Sequence, residues 1–167
     1  MLREKIETYL ALGSNLGDRL ANLNAAQSAV ASAKGFYLDR TSPTYESPAA
    51  DLPDQPRFLN RVLDVQVWLT PRELLETCQG IEAKLGREVG IPKGPRVIDI
   101  DILIYGDAAV NETDLIIPHP ALTRRAFFLQ PLKDIAGDMV LPGAGVPLSR
   151  LLAALAPYEL IPYKPTY

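Results

Sequence analysis

The chain has 167 residues, 47% of them hydrophobic, a net charge of −3 and a single cysteine. That length suits one domain, 1–167, and the acidic balance argues against a nucleic-acid partner. Cys78 alone excludes an intramolecular disulfide or a cysteine metal cluster, and no apolar run approaches the ~18 residues of a membrane span.

The opening MLREKIETYLALG carries no signal-like apolar region, so a cytoplasmic protein is expected. Residues 5–12 read as a first strand stopped by Gly13, and GSNLGD as a turn. Asp18 can cap a helix that carries Leu20, Leu23, Ala26, Gln27 and Val30 at near-helical spacing, with Gly35 as its stop. Residues 36–46 read as a second strand. SPAADLPDQPR, with three prolines, reads as a loop over 47–57. Residues 58–69 form a third strand. Leu63, Val65, Val67 and Leu69 share one face; Phe58, Asn60, Val62, Asp64 and Trp68 share the other.

TPRELLETCQGIEAKLG is the clearest helix. Thr70 and Glu73 make a capping box, Pro71 suits the first turn and Gly86 stops it. A loop rich in Gly, Pro and charge covers 86–95, and GPRVIDIDILIYGD then supplies a fourth strand. DLIIP reads as a short strand, 120–136 as short helices and 147–156 as a last helix. The order βαββαβ predicts an α+β, ferredoxin-like core. Its sheet is mainly antiparallel because the second and third strands have no helix between them, and its helices pack in a three-layer α-β-α arrangement.

The fourth strand carries the chemistry. Strict alternation puts Ile98, Ile100, Ile102 and Ile104 on one face, and Val97, Asp99, Asp101, Leu103 and Tyr105 on the other. Two carboxylates roughly 6–7 Å apart along a strand repel unless a cation sits between them. The cation is arginine or metal, and spacing alone leaves both open. Asp-x-Asp is a poor all-protein cage but a good half-site for Mg²⁺, completed by water and phosphate. Arg87, Lys93 and Arg96 precede the strand, and Arg124 and Arg125 follow His119. Arginine's planar fork matches phosphate, so metal plus arginines implies a polyphosphate ligand. Neither G-x-x-x-x-G-K-[ST] nor G-x-G-x-x-G occurs, and GAGVPL reads as a plain turn. His119 is either a packing residue or a phosphate ligand. Cys78 reads as a buried apolar residue. Phe58 beside Asn60 offers the stacking face and the amide that a flat heterocycle needs.

LALGSNLGD, YESPA, DQPRFLN, GPRVIDIDILIYGD, IPHPAL and RRAFFLQPL, in that order across residues 6–142, resemble the 6-hydroxymethyl-7,8-dihydropterin pyrophosphokinase family. The resemblance implies a monomer that moves diphosphate from ATP to the pterin hydroxymethyl group in folate biosynthesis, releasing AMP. It implies two Mg²⁺ ions on Asp99 and Asp101, with Asp101 as a candidate base. Phe58 and Phe127 would sandwich the pterin, Asn60 would meet its edge, Ser47, Pro48 and Ala50 would line its pocket, and Asn15 would support it. Gln79, Glu82, Arg87, Arg96, Ile102, His119 and Arg125 would surround the nucleotide, Arg87 and Arg96 stabilising charge on the phosphates. Loops 47–57 and 86–95 would act as lids. The chain departs from the family in three places: Lys93 follows Pro92 ahead of the Gly-Pro-Arg, Asp114 stands where some members carry arginine, and Phe58 replaces a tyrosine. The rival reading is a non-catalytic nucleotide- or pterin-binding module on the same fold.

Overall fold

A computed structural model describes residues 2–50, 52, 54–88, 90 and 92–165. In chain order it has β1 (Ile6–Ser14), α1 (Arg19–Ser32), β2 (Phe36–Thr41), β3 (Tyr45–Ser47), β4 (Phe58–Val67), α2 (Pro71–Lys84) and β5 (Asp99–Tyr105). A hairpin of β6 (Val110–Glu112) and β7 (Leu115–Ile117) follows, then a 3₁₀ turn (Leu122–Arg124), α3 (Ala126–Ala136), α4 (Leu148–Leu155) and β8 (Ile161–Pro162).

The main sheet runs β5-β1-β4-β3-β8, with β2 beside β3 along the same edge of β4, and all its ladders are antiparallel. This is the expected ferredoxin-like order. α1 and α2 cover one face, where Leu10, Leu12, Leu23, Val30, Leu63, Val65, Leu74, Cys78 and Ile100 form a core. α3 and α4 cover the other, against Tyr9, Ala11, Val62, Leu103 and Leu132. Each fully buried Leu contributes roughly 1.5–3 kcal/mol. Among the described residues no helix is long and apolar enough to cross a membrane.

Local chemistry explains the helix boundaries. Asp18 accepts the Ala21 N–H at 3.1 Å and starts α1. The Thr70–Glu73 capping box starts α2, both of its hydrogen bonds being present. Gly35 sits at φ 86°, a conformation that favours glycine, and a Cβ there would lie 2.8 Å from Leu69 Cδ2.

Three expectations are corrected, and one strand is new. β1 runs through Gly13 to Ser14 instead of stopping there, because Gly13 pairs with Asn60 and Asp99 on either side. The predicted strand over 36–46 is two strands. Ser42 interrupts it: its Oγ accepts the Val62 N–H at 2.9 Å, a side-chain bond to the neighbouring strand that replaces the regular ladder before Pro43. β5 does not alternate throughout. Its register with β1 shifts between Tyr9 and Leu10, so Ile104 joins Leu103 on the α3 side while Tyr105 packs with Ile100 and Ile102 against the α1–α2 core. Finally, the residues after α4 include a strand, β8, which sequence periodicity did not reveal.

Candidate active site

The antiparallel ladders bring the C-terminal end of β1 and the N-terminal ends of β4 and β5 to one edge of the sheet. There, on the α3 side, Gly13, Phe58, Asn60, Asp99 and Asp101 line a small pocket with Ala50, Gln55, Lys93, Arg96, Arg125, Phe127 and Phe128. Phe127 and Phe128 meet edge to face at 4.9 Å between centroids, and Arg125 lies 5.6 and 5.4 Å above their rings. Gly13 makes the floor: a Cβ added there would sit 3.5 Å from the Phe58 ring and 4.0 Å from Asn60 Oδ1. Asn60 is buried, and its amide nitrogen donates to Ser47 Oγ at 2.8 Å and Tyr45 O at 3.3 Å. That fixes the amide and leaves Oδ1 as the acceptor beside Gly13.

Asn15 stands behind the pocket and ties three segments together. Its Nδ2 donates to Pro56 O at 3.1 Å and Gln55 Oε1 at 3.2 Å, and its Oδ1 accepts the Arg96 N–H at 2.8 Å. Gln55 in turn donates to Lys93 O at 2.8 Å, so the 47–57 and 86–96 loops are hydrogen-bonded to each other.

The two aspartates have different environments. Asp99 Oδ1 accepts Arg87 Nη1 at 2.8 Å, and Arg96 Nε lies 3.9 Å from Oδ2. Burial, and then the like charge of Asp101, push the Asp99 carboxyl up to about 7. Asp101 is shared between the small pocket and a cleft of about 310 Å³, also lined by Leu75, Ile100, Ile102, Asp114 and His119. His119 Nε2 lies 3.7 Å from Asp101 Oδ1, while Nδ1 accepts the Ala121 N–H at 3.0 Å. With Nδ1 accepting, Nε2 is the ring's N–H donor and faces the carboxylate.

A second cleft, of about 390 Å³, opens between α2 and the 86–96 loop, lined by Gln79, Glu82, Arg87, Lys93 and Arg96. Glu82 is buried. Its carboxylate accepts the Ile100 N–H at 3.0 Å and the Arg87 guanidinium, so it aims Arg87 at Asp99. Desolvation raises the Glu82 carboxyl. Among the described residues Arg96 Nε is buried without a hydrogen-bond partner, and the guanidinium lies 5.3 Å from the Phe58 centroid. A cationic donor left unsatisfied beside two carboxylates suits an incoming anion.

Most expected site residues converge here: Asn15, Ser47, Ala50, Phe58, Asn60, Gln79, Glu82, Arg87, Arg96, Asp99, Asp101, Ile102, His119, Arg125 and Phe127. Pro48 does not line the pocket; it is exposed where the loop leaves β3. Phe128, Gln55 and Gly13 were missed. Phe128 follows Phe127 in the sequence, but helical spacing gave no sign that both rings reach the pocket. Asp114, at the wall of the 310 Å³ cleft, accepts from Arg72 at 2.7 and 2.9 Å.

Comparison with known proteins points to one family. The family model for 7,8-dihydro-6-hydroxymethylpterin-pyrophosphokinase (HPPK) matches residues 9–137. The chain is 44% identical to the 2-amino-4-hydroxy-6-hydroxymethyldihydropteridine pyrophosphokinase of Methylorubrum extorquens, over 83% of this chain and 87% of that protein. It is 36% identical to the Haemophilus influenzae protein of the same name, over 96% and 99%. Against the folic acid synthesis protein fol1 of Pneumocystis carinii it is 43% identical over 94% of its own length, but spans only 21% of that protein. A crystal structure of Plasmodium falciparum HPPK-DHPS superposes with a TM-score of 0.72 at 16% identity, over 91% of this chain and 44% of that one, a likeness of fold. The chain belongs to the 7,8-dihydro-6-hydroxymethylpterin-pyrophosphokinase family.

Proposed function

We propose that this chain, acting as one domain, transfers the diphosphoryl group of ATP to 6-hydroxymethyl-7,8-dihydropterin. One observation carries the reading. Asp99 and Asp101 line an aromatic slot with a fixed amide, and Arg87 and Arg96 of the neighbouring cleft approach Asp99. Phe58 on one side, with Phe127 and Phe128 on the other, offers stacking faces for a pterin, and Asn60 Oδ1 accepts from its donor edge.

The hydroxymethyl oxygen attacks the β-phosphorus. The bond from that phosphorus to the α,β-bridging oxygen breaks, and AMP leaves with the bridging oxygen. Asp101, which faces both the pocket and the 310 Å³ cleft, is the proposed acceptor of the alcohol proton. Arg87 and Arg96 hold the transferring phosphates and stabilise the charge that shifts toward the leaving group. The Asn15–Gln55–Lys93 bonds keep the two loops in register, so that together they exclude water.

Among the described residues, no three His, Cys, Asp or Glu gather into a metal cage. Two hard carboxylates do fit a magnesium site that water and phosphate complete. When bound there, two Mg²⁺ ions neutralise triphosphate charge.

Product analysis tests the reading. Incubation with ATP, Mg²⁺ and the pterin should give AMP in step with pterin diphosphate. ADP would indicate single-phosphoryl transfer. Pterin binding without turnover would leave a binding module.

A further inference from the structure

The segment after α4 turns back onto the sheet. Glu46 and Tyr45 of β3 pair with Ile161 and Pro162, and the Tyr163 N–H donates to Thr44 O at 2.9 Å. β3 is the strand that presents Ser47 to the Asn60 amide and pairs Ser47 with Phe58. From the same segment, Glu159 pairs with the guanidinium of Arg57, the residue immediately before Phe58.

Arg57 is held at its backbone as well. Its carbonyl accepts Arg19 Nη1 at 2.9 Å, and Arg19 also pairs with Glu46 at 2.7 Å and lies 5.8 Å over the Tyr163 ring. Among the described residues Arg57 Nη1 is buried with no hydrogen-bond partner, while Nη2 donates to the Glu159 carboxylate. These contacts converge on the peptide that joins Arg57 to Phe58.

We propose that residues 159–163 act as a strap that positions Phe58 and Asn60 for the flat substrate. Glu159 is a positioning residue acting through Arg57. The proposal rests on the reading of the Phe58 slot as the pterin subsite. The Arg57 and Glu159 side chains are 41% and 50% exposed. An ion pair that open to water adds little to global stability. Its loss should therefore appear in substrate affinity and local opening, and hardly in melting.

The test uses the full chain with Glu159→Gln, Glu159→Arg and the charge-swapped double variant Arg57→Glu/Glu159→Arg. Binding of 6-hydroxymethyl-7,8-dihydropterin and of a non-hydrolysable ATP analogue is titrated separately. Amide exchange is followed at Phe58, Leu59 and Asn60. Glu159→Arg should weaken pterin binding about tenfold, the scale of one disturbed stacking contact, with the ATP analogue within about twofold. Exchange at Phe58–Asn60 should rise, and the double variant should recover most of the affinity. Glu159→Gln, which keeps the size of the side chain, should show the same pattern more weakly.

Unchanged pterin binding in both single variants overturns the strap. So does a parallel loss of both ligands, which would mark a general loosening of the fold. Wild-type protein that binds no pterin overturns the slot assignment itself and the strap with it.

Discussion

Arg96 and Phe58 are stacked, with the guanidinium 5.3 Å from the ring centroid. The cation thus lies against one face of the ring. Phe58→Ala should raise the pterin dissociation constant about tenfold or more, since a stack is worth roughly 1–3 kcal/mol, and leave nucleotide affinity nearly unchanged. Fluorescence titration with each substrate checks this. Equal losses for both would show that Phe58 supports the fold and not the slot.

Asp101 faces both the pocket and the cleft of about 310 Å³ beside His119. Asp101→Ala should lower kcat by about 10³ or more, on the scale of losing charge stabilisation in the transition state, while pterin affinity stays within a few-fold. Steady-state kinetics with a parallel binding assay decide it. A kcat within a few-fold of wild type would remove Asp101 from the chemistry.

Asp99 gives a pH signature. Its carboxyl is raised from 3.8 to about 7, first by burial and then by Asp101. The folded state therefore holds this proton longer than the unfolded chain does. Stability from this group is complete below about pH 4 and declines as pH rises toward about 7. Burial raises the carboxyls of Glu82 and Asp64 in the same direction. A divalent cation binds the deprotonated form, so the rise in Tm produced by Mg²⁺ should grow between pH 5.5 and 8. Asp99→Asn should flatten the metal-free slope and abolish most of the Mg²⁺ gain. Thermal scans with and without the ion test both parts, and an unchanged slope in Asp99→Asn would show that other groups set it.

Gly13 separates binding from folding. A Cβ there meets the Phe58 ring at 3.5 Å, an ordinary contact, yet it stands on the pocket floor. Gly13→Ala should leave Tm within a few degrees, since alanine in a strand lowers the entropy of the unfolded chain. Pterin binding should weaken at least about tenfold. Differential scanning calorimetry and a pterin titration together check it.

Gly35 should behave in the opposite way. Its φ of 86° and the 2.8 Å approach of Leu69 Cδ2 penalise any side chain. Gly35→Ala should cost about 2 kcal/mol of stability, with both substrate affinities preserved. Urea denaturation provides the value.

Several of these residues could be read from the sequence because they contradict their surroundings. Asp99 and Asp101 stand out as carboxylates in an apolar strand, and α2 declares both its ends through Thr70, Glu73 and Gly86. What stayed hidden depends on contacts distant in the chain. Ser42 breaks a strand by bonding Val62, twenty residues away. Glu82 matters through Arg87 and the Ile100 N–H. β8 is two residues long and exists only because β3 offers a free edge. Pro48, by contrast, was placed in the pocket by motif, and its exposed position is set by how the loop leaves β3.

The register shift beside Leu103 has a consequence for how this strand can vary. On one side of it, Asp99 and Asp101 are opposed to Gly13 and Ala11; on the other, Leu103 and Ile104 are both anchored under α3. The irregularity acts as a mechanical stop. Ile, Leu and Val can be exchanged beyond it without turning a carboxylate. A slip of one residue between Asp99 and Leu103 would swing both acids into the oily side of the sheet, against Cys78 and Leu74.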